Sequence, residues 1–371
     1  MRFVYHILFL SLLFCSCGQV TKKSEKKETI VVKDSVESKI IAPLEEGEFV
    51  CSDKDFGDII ELKGTSLPVE QIFRVSGLQM IVKDSIIIVK NRGGEHPFMV
   101  YSLPEFKFIK YLGIAGRGPE EFQSPRLVKA DDNDVICYVY DGANENIYSI
   151  DRNLNLTKTA IKLKASKNRF FGDKQLHSLS KDDFMYVEKI KRGKAVFHTK
   201  IQKDSVDTQQ IKKLNFNKSH KNWAAYIGDF GVSKEHNRMV YAYKKFKRLI
   251  FMDLEGKKTR VLDFKSKEAK HGNTVNMLAP DNVTHYWGMS AQKNYVYVLY
   301  SGRTPIQVGK ENDKTSGYIY VEQFDWNGKP IRKFKLDHWG YFCVNENEDT
   351  IYLASYIEEQ PFLKFSIPKM K

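Results

Sequence analysis

The stretch "IYVEQFDWNGKPIRKFKLD", Ile319–Asp337, reads as two alternating strands around a tight Asp325-Trp326-Asn327-Gly328 turn. A period of two sends successive side chains to opposite faces of a sheet, and Asn-Gly supplies the positive φ that a tight hairpin needs. The same unit stands upstream as "RLIFMDLEGKKTRVLDF", Arg248–Phe264, and more weakly as "NIYSIDRNLNLTKTAIKL", Asn146–Leu163. One supersecondary unit repeated along a chain is the mark of a repeat architecture.

Six apolar or alternating strands begin near Ser85, Val135, Asp183, Arg238, Asn294 and Thr350, at intervals of 48 to 56 residues. Each follows a polar turn, and before each turn stands another candidate strand, from "LQMIV" at Leu78–Val82 to "YFCVN" at Tyr341–Asn345. Each is followed by a loop and a third strand, such as "FMVYSL" or "GYIYVEQFD", and then by a second hairpin and a fourth strand. The unit is therefore four antiparallel strands, six times over. A lone sheet of this kind leaves an apolar face in water, and six packed around an axis bury those faces against one another. The sequence thus predicts an all-β fold, a six-bladed β-propeller. The sixth unit stops after its third strand, at Ile367, so its fourth strand must come from elsewhere. The spare "GDIIEL", Gly57–Leu62, is predicted to pair with Phe362–Ile367, closing the ring and covering an exposed edge. No long stretch shows helical spacing and no linker interrupts the repeat, so residues 45–371 are read as one domain.

The 19 Tyr and 24 Phe suit strands. The formal charge of +13 comes from Lys and Arg scattered among 46 acids, which reads as a solvated basic surface rather than a dedicated polyanion site. Nucleic acid is excluded as a partner: no basic-aromatic motif is present, and the N-terminus points to export. Met1–Phe14 carries one early charge, Arg2, then the apolar run "FVYHILFLSLLF", too short to span a bilayer and suited to a signal peptide. Residues 1–16 are read as that leader. Residues 17–44 are read as a flexible tether, because Gln19–Ile40 is rich in Lys, Glu, Ser and Val and has no Gly, Pro or aromatic residue. Cys51, Cys137 and Cys343 form neither a disulfide framework nor a zinc pattern, and whether Cys51 meets Cys343 is left open.

Ser16-Cys17 resembles the lipobox of bacterial lipoproteins, with Cys15 as the other anchor and plain cleaved secretion as the competing reading. The resemblance implies lipidation at Cys17 and a place in the cell envelope, on the outer membrane facing the periplasm. Adding "GIAGRGPEEFQSPR" at Gly113–Arg126, "YWGMSAQKNYVYVLYSG" at Tyr286–Gly302 and the Asp-x-x-Gly-Lys turns, residues 45–369 resemble the TolB-like six-bladed propeller lipoproteins of gut-type Gram-negative bacteria, and more distantly NHL-repeat propellers. What this implies is architecture and location, not an activity. The triplets at Asp34-Ser35-Val36, Asp84-Ser85-Ile86, Asp204-Ser205-Val206 and Asp349-Thr350-Ile351 resemble an O-glycosylation signal of such bacteria, although a turn Asp before a strand produces the same pattern.

In a propeller the blade-to-blade loops share one face with the loops between second and third strands, and these long segments are where binding residues belong. The candidates are Arg117, Glu120, Arg126, Asn144, Trp223, Trp287, Arg303, His338 and Trp339. Trp287 and Trp339 stand at corresponding inner-strand starts of neighbouring blades; aromatic rings beside directional polar groups suit a sugar, and packing at the channel mouth is the simpler reading. The glycines of Gly113–Arg126 are read as a turn with Phe122 plugged between blades, since no Lys-Ser/Thr or helix follows to make a phosphate loop. A binding module for a glycan, a peptide or an envelope protein is the leading expectation. The alternative is a metal-dependent lactonase- or lyase-like hydrolase with Ca2+ in the central channel, for which inner strands offer only Asp229, Asn345 and Glu346.

Overall fold

The computed structural model describes residues 42–370, apart from 165–173, 203–204, 267–268, 271–273, 275 and 277. The leader, Cys17, the first triplet and Asp204 of the third lie outside the described residues. Six antiparallel blades follow one another at residues 79–112, 125–162, 175–213, 228–263, 284–336 and 340–366. The second strands begin at Ile86, Val135, Asp183, Arg238, Tyr295 and Thr350. The first strand of each blade is innermost, and these strands touch their neighbours around the axis. Blades 2 and 3 fuse into one eight-stranded sheet where their inner strands pair in parallel, His177 with Lys129 and Ser178 with Ala130.

The core is divided into six apolar clusters, one between each pair of adjacent blades. Strand periodicity builds them. On the second strand of blade 1, Ile87 and Val89 face blade 6 while Ile88 faces blade 2. On blade 5, Val296 and Val298 face blade 4 while Tyr297 and Leu299 face blade 6. A strand buried on both faces must be apolar at successive positions, which is why these strands read as near-continuous hydrophobic runs.

Residues before blade 1 form a strap across three outer edges. Gly47–Val50 pairs in parallel with the outer strand of blade 4, Gly47 opposite Arg260. Ile59–Leu62 pairs in parallel with that of blade 5, Ile59 opposite Lys333. Thr65–Leu67 then completes blade 6, antiparallel to Phe362–Ser366, with Leu67 opposite Phe362. The ring is closed by an N-terminal strand as expected, but the strand is Thr65–Leu67 and not Gly57–Leu62. The reason is packing: Leu62 is already seated in the core between blades 5 and 6. The chain then crosses to blade 6 at Gly64, where an added Cβ would lie 2.8 Å from Leu363 and 2.9 Å from Phe365. Three residues are too few to announce a strand by alternation. The uncovered outer strands of blades 1 to 3 carry Lys107 and Lys110, Lys158 and Lys162, and Lys212 and Lys213, charges that discourage edge pairing.

Acids on the strap meet bases on the edges. Glu45 pairs with Arg260, Glu48 with Arg248 (3.0 Å) and Glu61 with Lys335 (2.8 Å). At the centre, Asp53 bonds both Lys247 (2.5 Å) and Lys333 (3.0 Å). Beneath them Glu322, with no exposed surface, accepts from Lys333 (2.9 Å) and Tyr286 (3.1 Å) and lies 3.6 Å from Lys247. Burial pushes the Asp53 carboxyl up, yet the two lysines outweigh it and hold it below the usual aspartate value. Among the described residues, two short 3-10 turns, Asp53–Phe56 and Trp223–Tyr226, and one α-helix depart from the all-β reading; the α-helix is Pro305–Asn312, between the second and third strands of blade 5. Thr304 and Gln307 cap it reciprocally, and Pro305 occupies its first turn. Cys51 and Cys343 sit in different interblade cores and are both free.

Removing Glu322 leaves two buried lysines with only the half-exposed Asp53, so Glu322→Ala should cost about 3–5 kcal/mol in urea unfolding. Asp53→Ala, whose side chain is 60% exposed, should cost clearly less. Equal losses would contradict this division of roles.

Candidate functional site

The inner strands enclose a cup of about 800 Å3 on the axis. Trp287, Phe230, Met289, Tyr341 and Phe342 give it an apolar side. Lys90, Arg92, Arg126, Lys129 and Lys174 give it a cationic one, and Asp229 is the single carboxylate among its described lining residues. At the hairpin end Lys129 reaches from blade 2 to blade 5, opposite it in the ring, where its ammonium donates to the Ala291 carbonyl and to Gln292 Oε1 (3.2 Å). Burial pushes the Lys129 ammonium down, against the pull of Asp131, Glu346 and Glu348. Beside it, Asp131 lies 3.1 Å from His177 Nε2. Burial raises the Asp131 carboxyl, and the His177 contact, the Lys234 amide and Lys129 together bring it below its usual value. The hairpin end is thus bolted across the axis, and the cup faces the loops.

On the loop side, Lys244 stands with Nζ 3.4 Å from the centre of the Trp287 ring, a cation–π contact. Burial brings this ammonium down from its usual 10.5 to about 8, against the opposing attraction of Asp229 and with a further push from Lys245. The Asp229 carboxyl is raised by its own burial, which Lys244 and Lys194 counter in part. From Trp287 an aromatic arc runs outward. Trp339 lies 5.5 Å away and Tyr356 another 5.1 Å on, and the Tyr356 hydroxyl donates to that of Tyr341 (2.8 Å). Tyr356 is 40% exposed, so the arc reaches the surface. The indole Nε1 of both Trp287 and Trp339 is buried with no hydrogen-bond partner among the described residues, a rare condition in a folded protein.

Of the nine candidates, Trp287 and Arg126 line the cup, and Trp339 stands behind Trp287 within the core between blades 5 and 6. Trp287 falls inside its strand and Trp339 just before its own, so the two are adjacent without being strictly equivalent. The others are placed elsewhere. Arg303 pairs with Glu311, donates to the Tyr318 carbonyl and stacks on the Tyr318 ring at 3.9 Å, fixing the helix. His338 is held between Asp337 (2.6 Å) and Glu358 (3.5 Å). Asn144 donates to Asp141 (3.0 Å) and accepts from Gln123 (3.2 Å), bracing the loop after blade 1. Trp223 opens a short 3-10 turn with Lys189 above its ring at 4.9 Å. Arg117 and Glu120 are exposed, and Glu120 borders a shallow hollow of about 530 Å3 with His96, Tyr111 and Lys158. In the same loop Gly113 has φ +71 and Phe122 packs between Phe98 and Tyr148, from blades 1 and 2. The Glu121 carboxylate fills the space that a Cβ at Gly116 or Gly118 would need.

Tyr341, Tyr356, Lys174 and Lys244 are not among the candidates read from the sequence. Tyr341, two positions after Trp339, carried a signal, since period two returns it to the same face. The Lys129 bolt carried none, because 162 residues separate it from Ala291. Ca2+ does not fit this donor set. Hard cations take six to eight oxygens, whereas the cup sets one carboxylate among five cations, and no cluster of three metal-ligating residues occurs among the described residues. Asn345 and Glu346 belong to the hairpin face, where Glu346 accepts from the Asp84 amide (2.7 Å).

Six four-stranded blades around a blocked axis define a six-bladed β-propeller. The family model for TolB-like 6-blade propeller-like proteins matches residues 53–347, and the chain belongs to that family. A DUF4221-family protein from Bacteroides vulgatus superposes with a TM-score of 0.56 at 11% identity, over 84% of this chain and 96% of that one. An exported protein from Bacteroides fragilis gives 0.48 at 11% identity, over 84% and 100%. A calcium-binding regucalcin from Agrobacterium tumefaciens gives 0.46 at 10%, over 83% and 95%. These likenesses concern the fold alone. No curated protein matches the sequence.

In an NMR titration of the reductively methylated protein, assigned by comparison with Lys244→Arg, the Lys244 signal should move with a midpoint near 8. Asp229→Asn should lower that midpoint, because it removes the charge that favours the ammonium. A midpoint near 10.5 would contradict the site's geometry. The folded chain sheds this proton before the unfolded chain does, so the group adds stability with rising pH between about 8 and 10.5.

Proposed function

We propose that this chain is a non-catalytic binding module of the cell envelope that takes a glycan-type ligand at the loop-side mouth of its cup. One observation carries the reading: the cup is barred at one end by Lys129 and walled at the other by Trp287, with an aromatic arc leading from it to the exposed Tyr356. Flat apolar faces beside a few directional polar groups are what sugar rings require. A hydrolase would need a nucleophile beside a base, or converging carboxylates, and the described lining of the cup offers one carboxylate.

The strap enters the propeller from its hairpin face. The Ala42 carbonyl accepts from Arg238 (3.2 Å), which also bonds Asn327, and both residues belong to the hairpin face. Gly47–Val50 then climbs toward the loop face, parallel to Thr259–Asp263. The envelope placement itself rests on the lipobox-like Ser16-Cys17: acylation at Cys17 would hold the protein at the outer membrane, facing the periplasm.

Two measurements test this. A palmitate analogue fed to expressing cells should label the protein, and Cys17→Ala should abolish labelling; label retained in that variant removes the anchor from the proposal. A panel of immobilised oligosaccharides should retain the wild-type protein, and Trp287→Ala should weaken retention at least tenfold, about 1.4 kcal/mol. Turnover of a bound sugar, or retention indifferent to Trp287, would overturn the binding-module reading.

A further inference from the structure

We infer that the groove between the outer strands of blades 1 and 2 is a docking site for an acidic segment of a partner protein, one that carries a carboxylate three positions before an aromatic ring, in the manner of Asp-x-x-Phe. The groove lies on the circumference, apart from the cup, and the inference is independent of the glycan reading. The molecule holds the pattern itself. Where blades 4 and 5 meet, the strap sets Asp53 between Lys247 (2.5 Å) and Lys333 (3.0 Å), one lysine from each blade. Three residues on, Phe56 enters the apolar cluster between the same two blades, edge-on to Phe324 and stacked on Phe264. Leu62 enters the cluster between blades 5 and 6, and Leu67 the one between blades 6 and 1.

The cluster between blades 1 and 2 receives no strap residue. At its outer end stands the hollow of about 530 Å3, with Phe122 and Tyr148 buried beneath it and Tyr111, Ile114, Leu154 and Leu156 around it. Tyr111 is 42% and Ile114 49% exposed, so the hollow opens to solvent. No strand lies beyond Lys107–Leu112 or Leu156–Lys162 in their sheets. Lys110 of blade 1 and Lys158 of blade 2 line the hollow, one lysine from each blade again. Neither makes an ion pair among the described residues; Asp151 attracts Lys110 through space, and Glu120 is the carboxylate in the lining. What the strap supplies between blades 4 and 5 is what this groove lacks: a ring to fill the apolar hollow and a carboxylate to span two ammonium groups. Edge lysines turn away an uncharged strand, yet Glu45 on Arg260, Glu48 on Arg248 and Glu61 on Lys335 show that basic edges of this chain accept an acidic segment. In a second copy Asp53 and Phe56 are already engaged in its own ring, which favours a separate protein as the occupant.

The test is fluorescence anisotropy of the full soluble chain, residues 17–371 with Cys17→Ser, against a labelled synthetic peptide copied from Ser52–Leu62. The chain's own strap keeps the site between blades 4 and 5 filled, so the added peptide reports on open grooves. It should bind one to one, and its affinity should fall as salt rises from about 50 to 300 mM. Phe56→Ser in the peptide should weaken binding about tenfold or more, and Asp53→Asn about fivefold. In the protein, Ile114→Asp should cost about tenfold and the double variant Lys110→Gln, Lys158→Gln about fivefold. Val206→Asp, on the uncovered outer strand of blade 3, should leave binding unchanged. Hydrogen exchange of the saturated complex should slow at Lys107–Ile114. Urea unfolding checks that each variant is as well folded as the wild type, which the exposure of Ile114 and Lys158 leads us to expect. Binding indifferent to Ile114→Asp and to the lysine pair, or no binding by a cooperatively folded wild type, overturns the docking site. Self-association that Ile114→Asp abolishes gives the groove to a second copy and overturns the partner segment. None of these outcomes touches the oligosaccharide retention that tests the cup.

Discussion

Every blade has two apolar faces, and neither can be satisfied within the blade. This constraint governs the molecule. Ile87 and Ile88 are neighbours in sequence but belong to different cores, and the same holds for Val296 and Tyr297. Each sheet therefore needs a partner on both sides, and a row of such sheets has no unsatisfied face only when it closes into a ring. A fully buried aliphatic or aromatic side chain contributes about 1.5–3 kcal/mol, so an open ring would lose a whole interblade cluster and not merely an edge. The strap follows from this. It joins the last blade to the chain that precedes the first, and it covers two further outer edges on the way.

The polar chemistry of the strap shows a second constraint. Lys247 and Lys333 are buried where blades 4 and 5 meet, and Glu322 and Asp53 balance them one for one. Only Glu322 comes from a blade; Asp53 arrives with the strap. Closing the strap is thus an electrostatic act as well as a packing one, since without it two ammonium groups share one carboxylate. Phe56 completes the seal, stacking at 6.0 Å on Phe264 and edge-on at 5.3 Å to Phe324.

The same ring leaves a hole on its axis, and what fills that hole decides what the protein can do. Lys129 crosses it near the hairpin end, so the space that remains opens toward the loops. The loops themselves are braced from below. Asp141 accepts from the amides of Gln123, Ser124 and Ala143; His338 bridges Asp337 and Glu358; Arg303 clamps the helix. Several residues that look like binding candidates in sequence are engaged in this bracing. Polar residues in long loops serve either purpose, and composition does not distinguish them.

The repeat of Asn146–Leu163, Arg248–Phe264 and Ile319–Asp337, with its second strands 48 to 56 residues apart, was enough to establish six four-stranded blades. Hairpins and alternation are local, so a linear reading recovers them. The missing fourth strand of blade 6 was legible as a deficit, because counting strands is also local. Which N-terminal residues supply it was not, since Thr65–Leu67 is chosen by the fit of Leu62 and Gly64 against a blade some 300 residues away in sequence. The helix Pro305–Asn312 was not read from the sequence, because eight residues are too few to show a helical period. Trp287 was found by its place at the start of an inner strand, and Arg126 by its place in the loop between blades 1 and 2. The bolt at Lys129, the Lys244–Trp287 contact and the gathering of cations in the cup were decided by tertiary structure alone. Each depends on which side chains six separate inner strands bring to a single axis, and no spacing along the chain encodes that meeting.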